Sequence, residues 1–407
     1  MIQVWTGRQG DDPVPSGVLD RLEPAQTTFA YTPNLVPNDA VSVTMPVRVS
    51  SWEWTGGIAP IFEMNLPEGA LRERLQRTFS KATGRFDNID LLSIVGRTQI
   101  GRMRYSGMGE ALDEAVPFQS VDDILRAKRA DGLFDYLLEQ FAVHSGVAGV
   151  QPKVLIRATQ KHSVSKSRVS SSIIGATHIV KMWDSNEFPQ LAANEFFCLT
   201  AAKKLGFDVP TFELSQSGDA LVVERFDLGK DGWLGFEDFC VLNGQSTRRK
   251  YDGSVETSLF KRLGQYSDQQ TNVADAKMLF RLIVLNCAIG NGDAHLKNFG
   301  ILYDQINAPA RLSPVFDLVT TTAYLPADQM ALMIDGSTKW PARKRLVHLG
   351  RTRAGFSSAE ITEIFDATSA VLMDLRHDVT VWFNGSPNPE IGARMIARWE
   401  TWCNAPE

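Results

Sequence analysis

The spacing of the apolar residues changes twice along this chain, and that change constrains the fold more than any other feature of the sequence. Up to about residue 110, short apolar runs such as DAVSVTMPV and APIFEMNL are separated by proline and glycine. They predict a small strand-rich unit, interrupted by one helical segment, EGALRERLQRTF. The next region alternates between helical patterns and the predicted strands KVLIR, HIVKMW and ALVVERF. From FEDFCVLNG onward, helical periodicity dominates.

A chain of 407 residues exceeds what one hydrophobic core normally supports, so we expect more than one domain. The periodicity predicts an α+β fold in three parts. These are a strand-rich subdomain over residues 1–110, a mixed α/β lobe over 111–232 and an all-helical C-terminal lobe over 233–407. The polar, serine-rich segment TQKHSVSKSRVSSS inside the α/β lobe is predicted to be a loop.

Composition disfavours several functional classes. A formal net charge of -5 gives no overall attraction to nucleic acid or membranes, so any site for a polyanion must be local. The cysteines are scattered without a CxxC pair, which argues against a zinc site and a disulfide framework; they are Cys198, Cys240, Cys287 and Cys403. Neither a signal peptide nor a run of about 20 apolar residues is evident. We therefore expect a cytoplasmic protein.

The segment GNGDAHLKNFG contains the first candidate catalytic residues, Asp293 and, five positions later, Asn298. At average composition, about one such pair is expected by chance in a chain of this length, so the spacing alone is compatible with an ordinary polar turn. A second aspartate, Asp317 in LSPVFDL, makes a catalytic role more convincing. In phosphoryl transfer, one Asp orients the attacking hydroxyl, while an Asn and a later Asp hold Mg²⁺.

His295 lies in the same segment and could be a metal ligand or a general base. No second histidine stands at a ligand spacing, which weakens the metal interpretation. Asp293 is therefore the better candidate for the catalytic residue.

Two features upstream could bind phosphates. In HSGVAGVQPKVLI, Gly146 and Gly149 would let backbone amides approach an anion, with Lys153 nearby, although an ordinary hairpin connection remains the alternative. In THIVKMW, Lys181 lies in an apolar strand and would require a partner, for which Glu195 in the next predicted helix is suitable. The alternative for Lys181 is an edge lysine whose ammonium reaches solvent.

In consecutive order, these motifs resemble the HipA-type serine/threonine kinases, which are toxin components of bacterial toxin–antitoxin modules. The resemblance runs from about residue 140 to 325 through VAGVQPK, HIVK, NEFFCLTAAKKLGFDVP, VVERFD, EDFCVLNG, KYDG, GNGDAHLKNFG and LSPVFDL. LPEG and FDNIDLLSIVGR extend it to the N-terminal subdomain of that family. The resemblance implies a protein-kinase-like fold of two lobes.

The resemblance also implies roles for individual residues. ATP would be bound through Ala148, Gly149, Val150, Gln151 and Lys153, with Lys181 on the phosphates and backbone contacts to adenine at Glu224, Arg225 and Phe226. Asp293 would be catalytic, Asn298 and Asp317 would bind Mg²⁺, and His295 and Lys297 would lie against the phosphates.

The implied partners are a HipB-like helix-turn-helix antitoxin, operator DNA through the antitoxin complex, and a protein substrate such as an aminoacyl-tRNA synthetase. The family's inhibitory phosphorylated serine directly precedes VAG, where this chain has Gly146, so Ser145, one residue earlier, is the remaining candidate for autophosphorylation. A basic segment could contact operator phosphates, although a solvated helix face is the simpler interpretation; its residues are Lys339, Arg343, Lys344, Arg345, Arg351 and Arg353.

Two other functions remain open from the residues. One is a small-molecule phosphotransferase of the aminoglycoside-kinase type, which also places an Asp…Asn loop before a metal-binding Asp. The other is a nucleotide-binding corepressor without turnover, acting together with its antitoxin. The segments VAGVQPK and EDFCVLNG favour the HipA-type kinase over the first, and the intact Asp293, Asn298, Asp317 and Lys181 favour it over the second.

Overall fold

The computed structural model describes most of the chain. The described residues are 1–8, 11–23, 26–83, 86–113, 115–127, 132–149, 151–158, 175–183, 187–229, 232–267 and 269–405. The predicted serine-rich loop, residues 159–172, and Val150 of the predicted ATP-binding segment lie outside them.

The chain forms two compact units, each assembled from several segments. The first contains Met1–Met182, Thr211–Thr247 and Leu302–Ala308. The second contains Trp183–Pro210, Arg248–Ile301 and Pro309–Glu407.

The first unit begins with a five-stranded antiparallel sheet of order β4-β3-β2-β1-β5. Its strands are β1 (Ile2–Arg8), β2 (Asp11–Glu23), β3 (Gln26–Tyr31), β4 (Trp52–Thr55) and β5 (Met103–Gly107). Ile2, Leu19 and Phe29 lie opposite one another on three neighbouring strands and are buried. The helices between β4 and β5 are Pro60–Glu63, Gly69–Thr83 and Asn88–Val95. The predicted strand-rich region, including its helical interruption, is therefore present.

The helix Asn88–Val95 is fixed to this sheet by an ionic cap. Asp87 and Asp90 form a reciprocal capping box, which satisfies backbone N–H groups at the start of the helix. Arg21 of β2 contacts both carboxylates, at 2.7 Å and 2.6 Å. Partial burial raises the pKa of Asp87, but the hydrogen bond and charge of Arg21, together with the backbone N–H donors of Ile89 and Asp90, outweigh it, and the pKa falls to about 2.

A second sheet in the first unit has the order β6-β7-β8-β10-β9. Its strands are β6 (Phe118–Gln119), β7 (Lys153–Ala158), β8 (His178–Met182), β9 (Phe212–Leu214) and β10 (Ala220–Glu224). The central three correspond to the predicted strands KVLIR, HIVKMW and ALVVERF. Helices Val121–Arg126 and Leu133–Phe141 precede β7, and the short strands Leu228–Gly229, Gly232–Trp233 and Gly235–Asp238 and the helix Phe239–Leu242 follow β10.

A buried carboxylate connects distant segments of the first unit. Glu237, in the strand Gly235–Asp238, accepts hydrogen bonds from Ser42 Oγ, Val43 N and Tyr303 Oη at 2.7 to 2.8 Å. Burial raises the pKa of Glu237 to about 6, although these hydrogen bonds oppose the shift. The carboxylate therefore joins the N-terminal residues 42–43 to later parts of the same unit.

The second unit is predominantly helical. Its helices are Leu191–Lys204, Lys261–Tyr266, Gln269–Ile289, Arg343–Arg353, Ser358–Asp374, Arg376–Asn384 and Pro389–Cys403, with a π-helical turn at Val255–Phe260. The helical pattern of residues 358–383 is formed by two helices, Ser358–Asp374 and Arg376–Asn384, joined at Leu375. The C-terminal region is not all helical, because it also contains the short strands Gly300–Tyr303 and Arg311–Leu312.

Close helix packing forms the core of this unit. A Cβ atom at Gly350 would lie 2.7 Å from the ring of Phe280, so the helix Arg343–Arg353 approaches the helix Gln269–Ile289 closely there. Trp399, on the last helix, is fully buried. Among the helices of the described residues, none combines the length and apolarity that crossing a bilayer requires.

Candidate active site

The predicted site residues are distributed over both units. The first unit contains Ser145, Ala148, Gly149, Gln151, Lys153, Lys181, Glu224, Arg225 and Phe226, and the second contains Glu195, Asp293, His295, Lys297, Asn298 and Asp317. The predicted pairing of Lys181 with Glu195 involves one residue from each unit and stays a prediction. Glu195 itself is buried on the helix Leu191–Lys204.

Asparagine side chains shape the start of the predicted catalytic loop. The helix Gln269–Ile289 ends at Gly290, whose φ of 70° lies in the left-handed region that favours glycine. Asn291 donates from its backbone to Asn286 O at 2.9 Å and from its side chain to Asn286 Oδ1 at 2.7 Å. Asn291 Oδ1 then accepts from Asp293 N at 3.1 Å. These hydrogen bonds therefore fix the position of Asp293 relative to the end of the helix.

Asn298 closes the same loop. Its Nδ2 donates to Asp293 O at 2.8 Å, and its backbone N–H donates to His295 O at 2.9 Å. Because the amide nitrogen is engaged by the loop, the side-chain oxygen Oδ1 is the atom that can serve as a ligand for a cation. The five-residue spacing seen in the sequence thus corresponds to a direct contact.

The carboxylate of Asp293 is half exposed, at 49%, and accepts a hydrogen bond from Tyr251 Oη at 2.7 Å. Its pKa is raised, first by burial and further by the charges of Asp317 and Asp328, while Tyr251 and Lys250 act in the opposite direction. Asp293 and Asp317 therefore lie within electrostatic range of each other in the second unit. A carboxylate with a raised pKa beside a second carboxylate is a common feature of catalytic sites.

His295 is buried and electrically neutral. Burial, followed by the charges of Lys250 and Lys297, lowers its pKa to about 3. Its Nε2 lies 3.9 Å from Asp293 Oδ1, and because the ring is neutral this is not an ion pair. Its buried Nδ1 has no hydrogen-bond partner among the described residues. An imidazole with this pKa is a poor proton acceptor near neutral pH. Lys297 is also buried.

Asp317 has a φ of 53°, a left-handed conformation that is uncommon for residues other than glycine. The chain just after it is held firmly. Asn194 exchanges two hydrogen bonds with the backbone of Thr320, at 2.8 Å and 3.1 Å, and Trp399 Nε1 donates to the Thr320 hydroxyl at 3.2 Å. This anchoring gives a physical reason why the strained conformation of Asp317 can persist.

Thr321 connects this segment to the catalytic loop. Its hydroxyl accepts from Gly292 N at 2.7 Å and donates toward Gly290 O at 3.1 Å, and it also contacts the carboxylate of Asp328. A Cβ atom at Gly292 would lie 2.1 Å from Asp328 Oδ2 and 2.5 Å from Gln329 O. Only glycine fits there, because any side chain would displace the segment 328–329.

Two lysines of the predicted nucleotide site face each other on neighbouring strands of the first unit. Lys153 of β7 and Lys181 of β8 are directly opposite in the antiparallel register, and each is 5% exposed. Like charges at facing positions destabilise a sheet, and buried charges require negative charge close by. The sequence suggested each lysine separately but not that they form a cross-strand pair.

The glycine-rich segment before β7 is held by the N-terminal region of the first unit. Gly146 N donates to Thr98 O at 3.0 Å, and Gly149 N donates to Glu68 Oε1 at 3.2 Å. Gly149 has a φ of 119°, and a Cβ atom there would lie 2.4 Å from Lys153 Nζ. The lysine ammonium therefore lies over the glycine, next to a backbone amide. Ala148 and Gln151 are partly exposed in the same segment.

The structure gives a reason for glycine at position 146, where the resemblance implies a serine. A Cβ atom there would lie 2.5 Å from both Thr98 O and Gln99 Cγ. Ser145, the alternative candidate for autophosphorylation, is 0% exposed; its hydroxyl donates to Phe141 O at 2.6 Å and accepts from Leu155 N at 2.9 Å. Phosphorylation of Ser145 would require this buried contact to open first.

At the end of β10, much of the backbone is already engaged. Glu224 N donates to Thr211 O and Arg225 N to Thr177 O, so an adenine contact is restricted to the carbonyl oxygens of these two residues and to Phe226. The side chain of Arg225 forms a buried two-point ion pair with Asp227, at 2.6 Å and 3.0 Å. It also donates to Gln99 O at 2.6 Å. Arg225 therefore has a structural role through its side chain.

Several residues that hold the site were not found from the sequence. They are Glu68, Asn194, Asp227, Tyr251, Thr320, Thr321 and Asp328. Tyr251 and Asp227 do lie in the quoted motifs KYDG and VVERFD, which was the available signal. Glu68 and Asn194 lie in the quoted motifs LPEG and NEFFCLTAAKKLGFDVP, whereas Thr320, Thr321 and Asp328 lie in no quoted motif.

The basic segment lies mainly on the helix Arg343–Arg353. Arg343 is partly buried, donates to Trp402 O at 3.1 Å and lies against the rings of Phe365 and Trp402. Lys344, Arg345, Arg351 and Arg353 are exposed. Arg343 thus serves packing, and the exposed residues leave a contact with DNA as a prediction.

Comparisons with known proteins agree with this architecture. A model of the HipA N-terminal domain matches residues 9–106, and a model of the HipA-like C-terminal domain matches residues 145–375. "Putative kinase Y4dM" of Sinorhizobium fredii is 28% identical over 416 residues, covering 95% of this chain and 93% of that protein. "Putative kinase Y4mE" of the same organism is 35% identical over 158 residues, which is 36% of each chain.

A solved structure, HipA of Shewanella oneidensis MR-1 in complex with HipB and operator DNA, has a TM-score of 0.65 with this chain. It is 19% identical, and the match covers 100% of this chain and 98% of that one, so the likeness concerns the fold. It confirms the predicted α+β fold class. With the C-terminal model matching more than half of its length, this chain belongs to the HipA family, as its motifs predict.

Proposed function

We propose that this chain is an ATP-dependent protein serine/threonine kinase in which Asp293 accepts the proton of the attacking hydroxyl. The observation that supports this most strongly is the loop that joins Asp293 to Asn298 by a hydrogen bond and keeps Asp317 within electrostatic range. That constellation matches the requirements of phosphoryl transfer, which depends mainly on positioning and on compensating charge.

Mg²⁺ is the cation that suits these residues. Asn298 can offer its Oδ1 because its amide nitrogen is used by the loop, and Asp317 offers a carboxylate in a fixed backbone conformation. Mg²⁺ prefers oxygen ligands and usually takes one or two from the protein and the rest from phosphates and water. When bound there, it would neutralise the developing charge on the phosphates.

In the first unit, Lys153, Lys181 and the amide of Gly149 are the groups proposed to bind ATP phosphates. The support is the facing pair of buried lysines and the position of the Lys153 ammonium over Gly149. An anion there would interact favourably with the ammonium groups of both lysines. His295 and Lys297 remain proposed phosphate neighbours in the second unit. Because His295 is neutral, it would act as a hydrogen-bonding group there.

The proposed protein substrate is a component of translation such as an aminoacyl-tRNA synthetase. The proposed regulator is a HipB-like helix-turn-helix antitoxin, through which the chain would meet operator DNA. Support for the antitoxin is the complex of the Shewanella oneidensis HipA with HipB and operator DNA.

The test is transfer of labelled phosphate from ATP to proteins of a cell lysate by the purified chain. Asp293→Ala should retain ATP binding but reduce transfer by on the order of 10³-fold, within the range typical for loss of a general base. Asp317→Ala should lose both Mg²⁺-dependent ATP binding and transfer. Asp366→Ala, which removes an exposed carboxylate from the same unit, is the control and should behave as wild type.

Undiminished transfer by Asp293→Ala would contradict the proposal. Label that appears on a small acceptor would indicate a small-molecule phosphotransferase. A wild-type chain that binds ATP and labels no protein, itself included, would indicate a nucleotide-binding corepressor.

A further inference from the structure

Tyr251 is an exposed tyrosine that is nevertheless fixed against the predicted catalytic residue. Its side chain is 48% exposed, yet its hydroxyl donates to Asp293 Oδ1 at 2.7 Å. Its ring meets the ring of His295 edge to face, with centroids 5.1 Å apart and an interplanar angle of 78°. The ring of Tyr251 is therefore fixed by His295, and its hydroxyl is fixed by Asp293.

The backbone around Tyr251 is tied to the catalytic loop as well. Leu296 N donates to Lys250 O at 3.0 Å, which fixes the turn that carries Tyr251 to residues just after Asp293. Two further bonds join this turn to the neighbouring segment: Met333 N donates to Gly253 O at 3.1 Å, and Val255 N donates to Met333 O at 2.9 Å. The position of the tyrosine hydroxyl is thus set by backbone contacts on both sides.

This hydrogen bond is what orients the Asp293 carboxylate. Within the described part of the chain, Tyr251 is the one side chain that donates to it. Lys250, Asp317 and Asp328 act on it through their charges, and the neutral ring of His295 lies with Nε2 3.9 Å from Oδ1. The terminal torsion of an aspartate is soft, so a single donor on Oδ1 decides where Oδ2 points.

We propose that Tyr251 is a positioning residue that fixes Asp293 Oδ1, so that Oδ2 is presented to the hydroxyl of the protein substrate. This inference rests on the proposed kinase function. The acceptor oxygen would form its bond to the γ-phosphorus while the bond from that phosphorus to ADP breaks, and ADP leaves with the electron pair. The acceptor proton passes to Asp293 Oδ2, and Tyr251 keeps its own proton throughout.

The test compares Tyr251→Phe, which removes only the hydroxyl, with Tyr251→Ala, which also removes the ring. Transfer of labelled phosphate to the lysate protein that wild type labels most strongly is measured over a range of ATP concentrations. We expect both variants to lose about 10- to 100-fold in kcat, the usual effect of a misplaced reacting group, with the KM for ATP within about twofold of wild type. Tyr136→Phe, at a tyrosine of similar exposure, is the control and should leave kcat unchanged.

Several outcomes would overturn the proposal. If Tyr251→Phe works as well as wild type and only Tyr251→Ala is impaired, the ring packing matters and the hydroxyl does not. If Tyr251→Phe is faster than wild type, the phenol competes with the acceptor. A raised KM for ATP with unchanged kcat would assign Tyr251 to nucleotide binding.

A second measurement separates this inference from the proposed function. Crystal structures of wild type and Tyr251→Phe should show one orientation of the Asp293 carboxylate in the former and several, or a different one, in the latter. The same orientation in both would overturn the positioning role. Because this comparison needs no activity, a wild-type chain that transfers no phosphate would refute the kinase function and leave the role of Tyr251 to be decided by the two structures.

Discussion

The catalytic loop and the glycine-rich segment are stabilised in different ways, although both are short polar stretches next to a regular element. In the catalytic loop, nearby asparagines bond to one another and to the backbone of Asp293. The glycine-rich segment depends on residues far away in the sequence, since Gly149 N donates to Glu68, 81 residues earlier, and Gly146 N to Thr98 O. The catalytic loop therefore combines these local bonds with bonds to Lys250 and Thr321, whereas the glycine-rich segment is held to the N-terminal region by the amides of its two glycines.

Because the two segments are stabilised differently, we expect a change in each to affect a different property of the enzyme. A disturbance of the catalytic loop should reduce the rate of transfer, and a disturbance of the glycine-rich segment should reduce ATP affinity. Glycines test this directly, because an added methyl group is the smallest possible change.

Among the glycine substitutions, the largest effect is expected for Gly292→Ala in the catalytic loop. The new Cβ would lie 2.1 Å from Asp328 Oδ2 and 2.5 Å from Gln329 O, so the loop backbone has to move. We expect kcat to fall by about 100-fold, because a shift of about 1 Å in the reacting group is sufficient for such a loss. The measurements are transfer kinetics and ATP binding, and ATP affinity should change little.

The matched control for this substitution is Gly264→Ala. Gly264 lies in the helix Lys261–Tyr266, and its added Cβ would meet only the Asn272 side chain at 3.5 Å. Full activity is expected there. A Gly292→Ala variant with weaker ATP binding and normal kcat would reverse the assignment of the two regions.

An intermediate effect is expected for Gly146→Ala in the glycine-rich segment. The Cβ would lie 2.5 Å from Thr98 O and from Gln99 Cγ, which separates the segment from the N-terminal region. The dissociation constant for ATP should rise about tenfold, equivalent to about 1.4 kcal/mol, while kcat at saturating ATP stays near wild type. Isothermal titration with an ATP analogue and transfer kinetics would measure the two quantities.

Gly229→Ala is the control in the same unit, because its new contacts would be ordinary ones of 3.5 to 3.9 Å. If Gly146→Ala bound ATP as tightly as wild type, the N-terminal region would not determine the conformation of the nucleotide segment.

The third prediction concerns a different quantity, the pH dependence of stability, and tests Glu237, which fixes residues 42–43 within the first unit. Its folded pKa of about 6 exceeds the ordinary 4.5, so the folded chain binds more protons than the unfolded chain between these values. The free energy of unfolding should therefore fall as pH rises through this window, by up to about 2 kcal/mol. Denaturant unfolding at pH 4.5, 5.5 and 7 would measure it.

Glu237→Gln should remove this part of the pH dependence while Asp87, with a pKa of about 2, contributes none in the window. An unchanged pH dependence in the glutamine variant would show that another group is responsible. ATP affinity measured at the same pH values would show whether this anchor also supports the glycine-rich segment.

Local periodicity was sufficient to predict the regular elements. The strands β7, β8 and β10 lie where short apolar runs predicted them, and the helix Leu191–Lys204 contains Glu195, which the sequence places on a helix. The all-helical description of the C-terminal region was too simple, since the region contains the short strand Gly300–Tyr303, which the strand-like segment GILYD indicates, and the strand Arg311–Leu312.

The predicted site differs in how much of its geometry the sequence contains. Asp293 and Asn298 are five residues apart and in direct contact, but the spacing alone is compatible with a polar turn, and it was Asp317 and the upstream motifs that singled them out. That Lys153 and Lys181 lie opposite each other could not be inferred from the sequence. Their pairing depends on the register of two strands whose connection contains residues 159–174. Asn194 and Thr320 are 126 residues apart and both belong to ordinary surface residue types, so neither attracted attention.

The backbone contact between Gly146 and Thr98 limits how this family can exchange parts. The matched N-terminal and C-terminal family segments look like two independent modules, and recombination between relatives would place the junction between residues 106 and 145. A hybrid made there inherits the residues around 98 from one parent and the glycine at 146 from the other. If the second parent carried serine at position 146, the Cβ of that serine would clash with the carbonyl oxygen of residue 98, which comes from the first parent. A hybrid that folds therefore requires that residues 98 and 146 come from the same parent.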